Sequence, residues 1–211
     1  MDPSTLTLGS LAALFGAMAL LAAVPSTSVL IVTSRAAANG FAHGAWVSLG
    51  VVVGDLLFIA VAMFGLMALI DALGPAFVAA KVIGALYLLW LARGLWRMTP
   101  PTPQAAPVRA TATGSVMAGL TLTLGDQKAV LFYLGFLPAF VPLTDVETAD
   151  VLAVMLAAAV AVGGVKLAYA AVAARGTKVM TGGRLRALPR VAAVLVAVVG
   201  VMVLASTVVA S

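Results

Sequence analysis

The chain has 211 residues, of which 64% are hydrophobic and 9% charged, and a net charge of +5. A soluble domain carries about 25% charged residues, so this composition, with a mean hydropathy of +1.19, excludes a soluble globular domain and places the chain in a lipid bilayer. There is no cysteine and one histidine, His43, which excludes disulfides, thiol catalysis and Cys-based metal or redox centres and leaves little for an imidazole metal site. A positive charge that would suggest nucleic acid in a soluble chain here reports orientation, because the basic residues cluster in loops.

A membrane span needs about 20 apolar residues. Six segments meet that need: residues 6–32, 46–70, 77–95, 115–141, 151–174 and 191–210. The stretch from Met1 to Ser34 has no Lys or Arg and is longer than a signal-peptide core, so it is expected to be a first span and not a cleaved leader. That span contains Pro25-Ser26-Thr27-Ser28, and proline removes a backbone donor and disturbs the preceding turn. His43 is expected in a short solvated loop. The second span carries Gly50-Val-Val-Val-Gly54, a small-xxx-small pattern for close helix approach, followed by Asp55. The third holds Lys81 near its outer end, where the side chain can snorkel. Residues 98–114 include four prolines and read as a polar linker between a three-span half (1–97) and a second three-span half (115–211). In the fourth span, Gly125-Asp126-Gln127-Lys128 interrupts an apolar run. The fifth contains Gly163-Gly164-Val165-Lys166, a faint echo of Gly54-Asp55, and the sixth has no charge, as suits a lipid-facing structural helix.

The loops sort by sign. Arg35, then Arg93, Arg97 and Arg109, then Arg175, Lys178, Arg184, Arg186 and Arg190 follow spans 1, 3 and 5. Asp2, Asp71 and the group Asp145, Glu147 and Asp150 occupy the other ends. Basic loops stay in the cytoplasm, so both termini are expected outside, and Trp46, Trp90 and Trp96 fall near inner ends as interfacial anchors. Three spans per half force the halves into opposite orientation, the topology of an inverted-repeat transporter.

Four charges remain well inside the spans: Asp55, Asp126, Lys128 and Lys166. Each costs about 2.5–3.5 kcal/mol at a bilayer centre, so they must pair, be hydrated or change protonation state. At about 1.5 Å per residue, these four and Pro25 all fall near one depth, roughly the midplane. Asp126 and Lys128, two residues apart, do not face each other on a regular helix, which favours a break in span 4 to match the one at Pro25. Two broken helices, one per half, point to a binding site. For Asp55 and Asp126 the residues suggest proton coupling or capture of a substrate amino group, against a static ion pair with Lys128 or Lys166. Lys128 and Lys166 can hold a substrate carboxylate or serve as counter-charges, and Ser26, Thr27 and Ser28 either line the site or bond back to the preceding turn. Tyr87 and Tyr133 can reach the cavity, but packing against other aromatic rings is the expected role.

Taken together, Pro25-Ser26-Thr27, Gly54-Asp55, Lys81-Val-Ile-Gly84-Ala85-Leu-Tyr87-Leu88, Asp126-Gln127-Lys128-Ala-Val-Leu-Phe132 and Phe136-Leu-Pro-Ala-Phe140 resemble the motif set of the LysE/RhtB family of amino-acid exporters. The resemblance covers nearly the whole chain. Against the family pattern, Ser26 and Thr27 stand in place of Gly and Pro, Asp126 in place of Asn, and Gln127 in place of Pro. The resemblance implies an all-α bacterial inner-membrane protein that exports amino acids or similar small metabolites, driven by the proton gradient. No cofactor and no nucleic acid are implied, and a homodimer is compatible with so small a transporter. The expected substrate site comprises Pro25, Ser26, Thr27, Asp55, Asp126, Gln127, Lys128 and Lys166. Two alternatives compete: a cation or metal exporter, in which aspartates bind a hard cation through oxygen but two lysines at the same depth oppose it, and a membrane-embedded enzyme built on a pair such as Ser28 and Lys166.

Overall fold

The computed structural model describes residues 6–74, 77–98, 110–125, 127–141, 146–176 and 183–209; within these, the side chains of residues 69–71, 127–131, 138, 183–187 and 208–209 lie outside the description. Everything described is helix, short turn or 3₁₀ connection. The helices are α1 (Leu8–Ala22), α2 (Thr27–Asn39), α3 (Phe41–Leu73), α4 (Phe77–Trp96), α5 (Ala112–Gly125), α6 (Gln127–Phe136), α7 (Thr148–Ala174) and α8 (Gly183–Val209).

Among the described residues, four helices are long and apolar enough to cross a membrane, and the count rises to five if the bent pair α1–α2 is taken as one span. The segment read as span 4, residues 115–141, is divided into two short helices, α5 and α6, at the place where a break was expected, with a 3₁₀ turn at Leu137–Ala139. Residue 126 between them lies outside the described residues. The ten residues of α6 rise only about 15 Å, half the bilayer core, so α6 does not cross by itself.

Local chemistry explains the ends. The Thr7 hydroxyl accepts from the Ser10 amide and caps α1. At the other end of α1, the amides of Ala23 and Val24 bond back to Ala19, Leu20 and Leu21. Pro25 has no amide to continue the ladder, and α2 leaves at 66° to α1. Gly40, at φ 88°, closes α2, a conformation few side chains tolerate. Glu147 and Asp150 form a reciprocal capping box at the start of α7. His43 is not in a loop: it sits in the first turn of α3, with Nδ1 3.1 Å from Ser115 Oγ on α5.

The helices interlock across the chain. The α1–α2 pair packs on α7, while α5 and α6 pack on α3; α4 lies along α8. Leu14, Ile59, Met63, Leu88, Phe136 and Val154 are among the fully buried side chains of the main core. Val32, Ala36, Val47 and Ala170 form a second cluster where α2, α3 and α7 meet. Outward-facing Val61, Phe64, Ile83, Leu156, Val198 and Val201 are exposed, the apolar belt expected of a chain whose solvent is lipid. The Gly50–Gly54 pattern is a packing device, as expected. Gly50 lies against the Val116 carbonyl, Gly119 of α5 lies reciprocally against the Val47 carbonyl, and Gly54 lies against Thr123.

Candidate functional site: a cavity at the break in the first span

Ending α1 at Pro25 strips two carbonyls of their helical donors. In an unbroken helix Ala22 and Ala23 would accept from the amides of residues 26 and 27. Here the Lys166 Nζ donates to the Ala22 carbonyl at 3.1 Å, and the Tyr169 hydroxyl donates to the Ala23 carbonyl at 2.7 Å. Lys166 and Tyr169 are three residues apart and therefore share one face of α7. Lys166 is only 3% exposed, so its contacts must offset the cost of a charged group in the membrane interior.

A cavity of about 280 Å³ opens beside this junction. Asp55 reaches it from α3, Tyr133 from α6, Lys166 from α7, and Ser26, Thr27 and Ser28 from the start of α2. Tyr133 is buried and lies beside the Asp55 carboxylate, and Asp55 also acts electrostatically on Lys166. Met18, Leu21, Val51, Leu91, Leu95 and Phe132 are among its apolar walls. The first turn of α2 is uncapped: the Ser26 side chain makes no capping bond, and its Oγ lies 3.0 Å from Ser28 Oγ. Unused amides at a helix start attract negative charge.

The structure thus brings Ser26, Thr27, Asp55 and Lys166 to one cavity. Pro25 is buried and sets the bend without lining it. Asp126 and the side chains of Gln127 and Lys128 lie outside the described residues, although the backbone of the latter two opens α6. Lys81 is elsewhere, with its Nζ 5.6 Å from the Phe77 ring centroid. Tyr133 packs edge-on against Phe132, as expected, and also reaches the cavity beside Asp55, while Tyr87 packs at a tilt against Trp90. Tyr169 was not foreseen. Its i, i+3 spacing from Lys166 was the available signal, but without a known partner the spacing is uninformative. Among the described residues no cluster of three or more His, Cys, Asp or Glu could hold a metal ion.

Removing the Tyr169 hydroxyl tests the junction. Tyr169→Phe leaves the Ala23 carbonyl without its donor, a loss of about 1 kcal/mol. The melting temperature of the detergent-solubilised protein is expected to fall by a few degrees; an unchanged value would show that water serves the carbonyl equally well.

A helical membrane protein with opposite charges facing a cavity at a broken helix has the build of a transporter. Residues 19–207 match the family described as LysE type translocator, and the chain belongs to that family. It is a family of transporters, which sets aside the Ser28–Lys166 enzyme. The chain is 43% identical over 205 residues to an uncharacterized membrane protein of Synechocystis sp., covering 96% of this chain and 100% of that one. It is 31% identical over 127 residues to the leucine efflux protein of Enterobacter sp., and 30% identical over 120 residues to that of Klebsiella pneumoniae. These two matches span 59% and 56% of this chain, and 60% and 57% of the relatives. No solved structure matches.

Proposed function

We propose that this LysE-family protein is a secondary transporter that exports amino acids across the inner membrane of a bacterium, coupled to the proton gradient, through the cavity between Asp55 and Lys166. The observation that carries this reading is the meeting of those two opposite charges with the uncapped start of α2 in one cavity. Relatives that share more than half of this chain are named leucine efflux proteins, which supports an amino acid as the cargo. Asp55 is the carboxylate among the described lining residues, and so the proposed proton carrier. Asp126, Gln127 and Lys128 are proposed to complete the site from the start of α6.

The interlocking of the halves supports the inverted arrangement of six spans, with α5 and α6 together forming the fourth. Each broken span packs on the central helix of the other half, α1–α2 on α7 and α5 with α6 on α3. Asp55 and Lys166 stand on those two central helices. The basic residues that follow spans 1, 3 and 5 support an orientation with both termini outside.

The test is counterflow in proteoliposomes. Vesicles preloaded with an unlabelled amino acid are expected to accumulate its labelled form several-fold over protein-free vesicles, leucine first among the panel. An imposed pH gradient is expected to drive net movement, and a protonophore to abolish it. Failure of every amino acid to exchange would overturn the proposal, and net movement indifferent to the pH gradient would remove the proton from it.

A further inference from the structure

The cavity is electrically two-ended. One end holds Lys166 and the first turn of α2; the other holds Asp55 with Tyr133; Met18, Leu21, Leu91 and Leu95 supply apolar wall. An ammonium has three donors, and the described bonds of Lys166 use one of them, on the Ala22 carbonyl. A carboxylate accepts several hydrogen bonds, so Asp55 can receive an ammonium from the cavity alongside its protein partners. Among the described lining residues these charges sum to zero, and Met18, Leu21, Leu91 and Leu95 offer no partner to a third charge laid against them.

We propose that the cavity recognises a neutral, apolar α-amino acid by both of its charged poles at once: the carboxylate at Lys166 and the first-turn amides of α2, the ammonium at Asp55, and the aliphatic side chain against Met18, Leu21, Leu91 and Leu95. This rests on the amino-acid reading above and adds to it the binding orientation and the selection rule. The sign of the helix end sets the orientation, because the start of a helix favours an anion. A zwitterion laid this way opposes its own dipole to that of Asp55 and Lys166, so each charge meets its counter-charge as the site loses water. A dibasic or diacidic side chain brings a charge against apolar wall, where it is left unpaired.

The experiment is equilibrium binding of labelled L-leucine to the full-length protein in detergent, with unlabelled competitors. L-Leucine, L-isoleucine and L-methionine are expected to compete. Leucinamide, which lacks the carboxylate, and isocaproate, which lacks the ammonium, are each expected to bind about 10- to 100-fold more weakly, the loss for one charged hydrogen-bonding group. L-Lysine and L-glutamate are expected to fall in the same weak class. Lys166→Gln is expected to shrink the preference for leucine over leucinamide. Because Lys166 also holds the Ala22 carbonyl, Thr27→Pro provides a second variant. Proline is well accepted at the first helical position and Ser26 is already extended, at φ −122° and ψ 174°, so the change deletes one first-turn amide and preserves the fold. It is expected to weaken leucine and spare leucinamide. Leucinamide, isocaproate or lysine binding as tightly as leucine would overturn this inference and leave amino-acid export standing. No binding of any amino acid would overturn the export reading itself.

Discussion

Asp55→Asn is expected to abolish gradient-driven export while leaving the protein inserted and monodisperse. Asparagine has nearly the same shape and keeps an oxygen that can accept from the Tyr133 hydroxyl, so the contact between α3 and α6 survives. What disappears is the charge. An ammonium bound to a carboxylate gains about 1.5–3 kcal/mol from a charge-assisted bond, so substrate affinity is expected to fall about 10- to 100-fold. The carboxylate is also the group that can take up and release a proton, and the amide cannot. Two assays separate these roles: exchange counterflow at saturating substrate, and net efflux under an imposed pH gradient. Retained exchange with lost net efflux would assign Asp55 to coupling, and loss of both would assign it to binding as well. Wild-type behaviour in both assays would make Asp55 a structural partner of Tyr133 and remove the cavity from the transport path.

The second large effect concerns folding. Gly50→Val and Gly119→Val are each expected to eliminate the folded monodisperse species. A Cβ at either position lands on a backbone carbonyl of the facing helix, Val116 for Gly50 and Val47 for Gly119. Overpacking usually costs about 1–3 kcal/mol because side chains shift to relieve it. Here the obstacle is backbone, so relief requires separating α3 from α5, and with them the walls that carry Asp55 and Thr123. Gly65→Ala is the control: it lies on the same helix, and a Cβ there meets nothing within 4 Å. Size-exclusion profiles in mild detergent after heating give the comparison. A folded, heat-stable Gly50→Val protein would show that the α3–α5 crossing is looser than described.

Much of the site was readable along the chain. A lone aspartate after Gly54, a lone lysine after Gly163-Gly164 and a proline inside an apolar run each carry a cost in lipid that only a partner can offset, so composition alone marks Asp55, Lys166 and Pro25. The small residues of span 2 were likewise legible as a packing surface, since a pattern repeated every four residues lies on one helix face. His43 was misplaced because a short polar stretch next to glycines looks like a loop, whereas α3 begins directly after Gly40 and gives the imidazole a partner in Ser115. The two tyrosines were harder. A tyrosine in an apolar helix has the same local pattern whether its hydroxyl finds a carboxylate, a backbone carbonyl or a neighbouring ring.

The amino-acid sequence by itself therefore settled that the chain lives in a membrane, roughly where its apolar segments lie, and which charges need partners, because hydrophobic runs and stranded charges are local properties set by the bilayer. Partner choice was decided only in three dimensions. Lys166 and Tyr169 take the Ala22 and Ala23 carbonyls from more than a hundred residues away. Tyr133 comes to lie beside Asp55 because α5 and α6 are separate helices and both pack on α3. The physical reason is the bend at Pro25: it frees backbone acceptors and a helix start, and which side chains satisfy them depends on which helices the fold brings alongside.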